Sequence, residues 1–224
     1  MNPFSDRFDG MPATRAETKQ MTQSRVIDAA EQLFDRRGFA ATSVRAIAEG
    51  AGVSVGTVMS VGDKGALLVC VFDRLIERAH EDRRPPSVAV GTDPRSGRTR
   101  RPLDSAAPLD ACPDRLAALA APFVSLFTRR DDLARIYASI LVSGGHESSL
   151  FSVLAARLTE EFRTVITERG CTSPSEAAAK AGALYFAYVG LLFTASARRT
   201  TDPAALSIDL RGAFAAICTC KELP

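Results

Sequence analysis

The sequence predicts an all-α protein in two parts: an N-terminal three-helix head built around a helix-turn-helix, and a C-terminal helical bundle. Three observations carry this prediction. Apolar residues recur at steps of three and four through most of the chain. No alternation of apolar and polar residues is long enough for a strand. Between residues 38 and 62, closely spaced glycines cut the helical pattern into short pieces. The 224 residues are 46% hydrophobic and 24% charged, an ordinary globular balance with enough apolar material for a core.

Taken in order, residues 1–21 hold Pro3, Gly10 and Pro12 without a sustained period and read as a mobile tail. The head is expected over 22–83. Its first helix runs from Thr22, an available cap, to Arg37, with Val26, Ala30, Leu33 and Phe34 inward and Gly38 as a left-handed stop. A second helix starts near Thr42 and turns Val44, Ile47 and Ala48 inward, before the turn Gly50-Ala51-Gly52. Ser54 caps a short third helix, Val55–Ser60, which Gly62 breaks. Asp63 caps a longer connecting helix to about Arg83, with Leu67, Leu68, Val71, Phe72, Leu75 and Ile76 inside.

Residues 84–111 hold five prolines and no apolar period, and read as a mobile linker between two domains. The span 83–101 carries six arginines against Asp93 alone. Residues 112–220 form the helical second domain. Pro113 suits a first helical turn, and Leu116, Leu119, Phe123, Leu126 and Phe127 follow, with Pro122 expected to kink the helix. Further helices cover about Asp132–Ser143, then Ser148 or Ser149 to Arg169. Ser173-Pro174-Ser175-Glu176 is a capping box, and Asp202-Pro203 opens the last helix.

Residues 42–60 meet the needs of a DNA-reading helix-turn-helix: a braced first helix, a tight glycine turn and a short exposed second helix. The second helix offers Ser54, Val55, Gly56, Thr57 and Ser60. These small side chains let the backbone approach closely. Their hydroxyls suit phosphates or base edges, and Val55 suits a thymine methyl. The span 22–82 holds seven basic side chains against nine acidic ones, so placement or help from outside must supply affinity. Arg7, Arg15 and Lys19 of the tail and the arginine-rich linker are candidates, with a solvated segment as the alternative.

Several runs together resemble the TetR family of transcriptional regulators. They are Arg25-Val26-Ile27-Asp28-Ala29-Ala30-Glu31-Gln32-Leu33-Phe34, Gly38-Phe39, Thr42-Ser43-Val44-Arg45-Ala46-Ile47-Ala48, Ala51-Gly52-Val53-Ser54-Val55-Gly56-Thr57-Val58, and Asp63-Lys64 followed by Ala66-Leu67-Leu68. The resemblance covers about residues 24–72. It implies a homodimer with one DNA-reading head per subunit and a divergent ligand-binding and dimerisation domain. It places Thr42, Ser43 and Arg45 at the phosphates or groove edge, Ser54 to Thr57 in the groove, and Lys64 on a phosphate. The run Met59-Ser60-Val61-Gly62-Asp63 departs from the family pattern: it is one residue short, and Met59 stands where a phosphate-binding Tyr is usual.

In the second domain, Ala181, Leu184, Tyr188, Leu191 and Ala195 form a coiled-coil-like seam, and Leu206, Leu210, Phe214 and Ile217 follow on the last helix. By resemblance these helices make a four-helix dimer interface, with Leu184, Tyr188, Leu191, Ala195, Leu210 and Phe214 as candidates. An intrachain core is the alternative. Phe123, Phe127, Tyr137, Phe151 and Tyr185, with Phe186, are candidates to line a pocket for a small, mostly apolar ligand. The expected function is a homodimeric repressor released from a palindromic operator by that effector. The second reading is a helical dimer with impaired DNA binding that acts through protein contacts.

Other classes find little support. His80 and His146 are the only histidines, and neither sits in a catalytic constellation, so no enzyme and no cofactor are expected. The uncharged stretch 181–197 is rich in Ala, Gly, Ser and Thr and reads as a buried bundle helix rather than a membrane span. Five scattered cysteines without an apolar leader suggest the cytoplasm. Cys218-x-Cys220 is too tightly spaced for a usual zinc knuckle, and no metal site is expected.

Overall fold

The computed structural model describes residues 14–83, 111–146, 148–170, 172–200, 202–218 and 220. Among these residues every regular element is a helix, as the periodicity predicts: α1 (Arg15–Ala41), α2 (Val44–Ala51), α3 (Val55–Val61), α4 (Lys64–Asp82), α5 (Cys112–Arg129), α6 (Asp131–Val142), α7 (Ser149–Arg169), α8 (Pro174–Arg198) and α9 (Pro203–Cys218). The chain divides into two compact units at Val71/Phe72, inside α4. The segment expected as a linker, through residue 110, lies outside the described residues.

Unit one is α1, α2, α3 and the first half of α4. Val26, Ala30, Phe34, Ile47, Ala48, Val58, Leu67 and Leu68 form its buried core. α1 starts at Arg15, well before the expected Thr22. The reason is a capping box: Thr14 Oγ1 accepts the Glu17 N–H, and the Glu17 carboxylate accepts the Thr14 N–H at 2.6 Å. Thr22 is no cap; its hydroxyl donates back to the Thr18 carbonyl within the helix. Gly38, at φ 74°, breaks the α1 backbone as expected. α2 is capped by Ser43 rather than Thr42.

Unit two packs α5 against α9, and α8 against α7 and α9. Its core holds Leu116, Ala120, Val124, Phe162, Ile166, Ala181, Leu184, Leu210 and Phe214. Ser173 and Glu176 form the expected capping box on α8. α5 runs continuously through Pro122. α8 is long and apolar enough by length and composition to cross a membrane, yet only 22% of its most apolar stretch is buried within the chain. One stripe of this helix is covered and another is open.

Candidate nucleic-acid interface and effector cavity

The helix-turn-helix is braced by side chains that satisfy its helix ends. Ser43 Oγ accepts the Ala46 N–H at the start of α2. At its other end Gly52 takes the left-handed conformation, φ 63°, and Arg25 Nη2 donates to the Ala51 carbonyl. A Cβ at residue 52 would also lie 2.9 Å from Arg25 Nη2. Ser54 caps α3 by accepting the Thr57 N–H at 3.1 Å, and its hydroxyl pairs with Thr57 Oγ1 at 2.9 Å.

With its ends tied down, α3 buries Val58 completely and exposes Ser54, Val55, Gly56, Met59 and Ser60. Thr57 is half-buried. On α2, Arg45 is exposed, as is its cap Ser43. Met59, outside the candidate set read from the sequence, is exposed beside Val55. Its position four after Val55 was the available signal, since residues i and i+4 share a helix face. The pair Val55 and Met59 gives this face an apolar strip suited to thymine methyl groups.

Two candidates are engaged elsewhere. Thr42 is 1% exposed, and its hydroxyl lies 2.8 Å from the Gly38 carbonyl and 3.2 Å from that of Leu33. It closes the break at Gly38 instead of presenting its hydroxyl to a phosphate. Lys64 Nζ donates to the carbonyls of Phe39 and Thr42 at 3.1 Å each and stands 4.3 Å from the Phe39 ring centroid. Its charge complements the carbonyl end of α1 and an aromatic face. Carbonyls left over at a helix end need a donor, and the residue-type pattern alone does not show that Lys64 supplies it.

The helical extension of α1 adds cations that the sequence reading assigned to a tail. Arg15, Thr18, Lys19, Thr22 and Gln23 line one side of a cleft whose other side is Thr57, Ser60 and Val61 of α3. Arg15 and Lys19 are exposed there. Arg7 lies outside the described residues.

In unit two, a cavity of about 610 Å³ is bounded by α5, α6, α8 and α9. Phe127, Tyr137, Tyr185, Tyr188 and Leu192 give it a mostly apolar wall, with Arg135 among the polar contributors. Three of the expected residues (Phe127, Tyr137 and Tyr185) are thus gathered in it. Phe123 is not: it packs 4.6 Å from the His80 ring and 4.6 Å from the Arg83 guanidinium, beside a separate cavity of about 30 Å³. Phe186 is exposed, and the side chain of Phe151 lies outside the described residues.

Behind the cavity wall sits a buried carboxylate. Asp73 on α4 accepts the Tyr137 hydroxyl at 3.1 Å and the Ser148 hydroxyl at 2.6 Å. Burial pushes the Asp73 carboxyl above its ordinary range, against the opposing effect of the Ser148 and Tyr137 hydrogen bonds. Burial, then the Asp73 charge and hydrogen bond, push the Tyr137 hydroxyl well up, so it stays a protonated donor.

The expected dimer residues are inward. Leu184, Tyr188, Ala195, Leu210 and Phe214 are all buried within the chain, and Leu191 is half-buried. Within the chain the seam packs against its own helices. The open stripe lies on other faces of the same helices: Phe186 is 74% exposed, Phe193 59% and Ile208 68%. Gly190, Gly212, Ala215 and Ala216 are exposed on these helices too.

Residues 26–60 match the family model described as bacterial regulatory proteins, tetR family. The fold is that of solved transcriptional regulators. One from Rhodococcus sp. Rha1 is 20% identical, with a TM-score of 0.57 over 87% of this chain and 95% of that one. A tetR-family regulator from Rhodococcus sp. is 18% identical, with a TM-score of 0.55 over 89% and 100%. One from Mesorhizobium loti is 20% identical, with a TM-score of 0.52 over 92% and 97%. No curated protein sequence matches the chain.

Proposed function

We propose that this chain, whose head is a tetR-family segment on a transcriptional-regulator fold, is a homodimeric repressor released from a palindromic operator by a small, mostly apolar ligand. One observation carries the reading most directly. The exposed face of α3, held by Ser54 at one end and backed by buried Val58, stands on a braced α2 within the segment that matches the family. A short exposed helix behind a supporting one is the geometry that enters a major groove.

Within that reading, Val55, Gly56, Met59 and Ser60 meet base edges, with Thr57 at the margin. Ser43, Arg45, Arg15 and Lys19 meet phosphates, which position the head and raise affinity. The α1 extension, with Arg15 and Lys19 against Glu17, reduces the acidic excess counted over 22–82 by one. Two subunits join through the open stripe around Phe186, Phe193 and Ile208, and so set the distance between two heads.

The cavity takes the effector. Its tyrosine hydroxyls offer a few hydrogen bonds on an otherwise apolar wall. A ligand that moves Tyr137 breaks its bond to Asp73, and Asp73 belongs to the helix that begins at Lys64 in the head. α4 is thus the element through which occupancy would change the spacing of the heads. A dimer reads half-sites one helical turn apart, so a small change in spacing mismatches them.

Selection of sites from a random duplex pool at near-physiological salt tests the first part. Enrichment of a palindrome supports a dimeric sequence-specific regulator. No enrichment by an intact dimer transfers the lead to the protein-contact reading. For the second part, a ligand that saturates the cavity and leaves operator affinity unchanged defeats the coupling.

A further inference from the structure

The fold brings together three cysteines that are far apart in sequence. Cys112 opens α5, Cys218 closes α9, and Cys220 lies two residues further on. Their sulfurs all lie within 4.8 Å of one another. Cys112 and Cys218 are buried, Cys220 is half-buried, and all three are thiols. Neither histidine belongs to the group.

We infer that these three residues form a site for one thiophilic d10 metal ion of the zinc class per chain. Spacing along the sequence argued against Cys218-x-Cys220 as a metal pair. The third ligand comes from another helix, and α5 and α9 pack tightly enough to hold it in place. Sulfur ligands set ~2.3 Å from zinc stand ~3.8 Å apart in a tetrahedral arrangement and ~4.0 Å apart in a trigonal one. The observed cluster reaches this spacing by a small inward movement of the sulfurs, the least constrained being that of Cys220 beyond the end of α9. A donor set made only of sulfur selects soft ions over magnesium or calcium.

The binding step balances simply. Three thiols give up three protons to solvent, three metal–sulfur bonds form, and a divalent ion becomes a site of net charge −1. Water completes the coordination. No electron is transferred. The half-buried Cys220 gives the ion a way in. Once bound, the ion ties the end of α9 to the start of α5.

The test uses the full chain, reduced and metal-free, with Zn²⁺ or Cd²⁺ alone as the probe. The expected result is one Cd²⁺ per chain with a thiolate-to-cadmium charge-transfer band and release of about three protons per ion, since ligand thiols must deprotonate. Zn²⁺ should displace the cadmium and raise Tm in a concentration-dependent way. Cys220→Ser, Cys112→Ser and Cys218→Ser should each weaken binding by about 100-fold or more, at least the loss seen for outer-shell partners. Cys70→Ser with Cys171→Ser, which removes the other two cysteines, should leave it unchanged. Cys220→Ser sits at the half-buried position, so the test stands even if the two buried variants fail to fold. Absence of the band in folded, reduced protein overturns the inference. So does binding that survives Cys220→Ser undiminished, or that disappears with Cys70 and Cys171. A Cys112–Cys218 disulfide that forms in air, with no metal uptake by the reduced form, would show a redox pair instead and also overturn it.

Discussion

Phe186→Ala separates the two possible roles of α8. In the free chain Phe186 is 74% exposed. A phenylalanine buries ~200 Å² when fully covered, so this ring has ~150 Å² left to bury. In a two-fold interface the change is made twice, giving ~300 Å² per dimer and a ceiling of ~7 kcal/mol at ~25 cal/mol per Å². Alanine keeps part of that surface and neighbours relax, so ~4 kcal/mol is the working expectation. That corresponds to a 10²- to 10³-fold rise in dimer Kd, on the order of tenfold per 1.4 kcal/mol.

Sedimentation over a concentration series reads this directly, with thermal unfolding alongside. Phe193→Ala, starting from 59% exposure, should act in the same direction and less strongly. Leu184→Ala is the opposite control. Leu184 is 0% exposed within its own chain, so its truncation should cost ~2–5 kcal/mol of fold stability. If Phe186→Ala and Phe193→Ala keep the native dimer Kd, the open stripe is not the interface. If Leu184→Ala dissociates the dimer without lowering Tm, the buried seam is the interface after all.

The head and the buried carboxylate give further expectations. Arg45→Ala should weaken binding to all duplexes about equally and reduce the salt dependence of log Kd by roughly one, as loss of a single phosphate contact does. Arg15→Ala with Lys19→Ala should reduce it by roughly two in the same titration; an unchanged slope removes the α1 extension from the interface. Gly62→Ala places a Cβ 2.7 Å from the Ala66 Cβ, so it should destabilise the head by ~1–3 kcal/mol, read as a lowered midpoint in urea. Asp73→Asn should raise Tm at neutral pH. Burial raises the Asp73 carboxyl in the folded state above its ordinary 3.8, so the native state binds the proton more tightly than the unfolded chain. Stability therefore falls as pH rises from 3.8 to the raised folded value, and the asparagine should flatten that fall.

Much of this was legible from residue type and spacing, and what was missed has identifiable causes. Ser43, Ser54 and Ser173 mark helix starts because their short hydroxyls accept N–H groups that nothing else satisfies. The same rule holds at Thr14 and Glu17, but the prolines and glycines just before them give that stretch the pattern of a tail and mask the box that starts α1. The seam on α8 was visible as a period, and a period reports that a face is covered, not by what. Here the cover is the chain's own α7 and α9. Lys64 and Thr42 were misplaced for a related reason. Both carry groups that suit phosphate, and only the folded chain shows carbonyls of Phe39, Thr42, Leu33 and Gly38 already within their reach.

The departure at Met59–Asp63 now has a physical account. The shortened run leaves Gly62 so near Ala66 that a side chain at 62 would collide with it, and α3 meets α4 at 60°. Asp63 then caps α4 by accepting the Ala66 N–H at 2.8 Å, so the tight passage costs no unsatisfied donor there. Within the run Met59 is exposed and apolar, and Ser60 carries the exposed hydroxyl. Arg15 and Lys19 stand across a cleft from Thr57, Ser60 and Val61, on the side of α3 away from the Val55–Met59 strip. On the proposed function, phosphate anchoring beside Thr57 and Ser60 falls to Arg15 and Lys19, provided the first helix is capped early. The Thr14–Glu17 box supplies that cap. On this argument Thr14→Ala, far from any base, should lower operator affinity by fraying Arg15 and Lys19 out of position, and a helix that stays intact with affinity unchanged would break the connection.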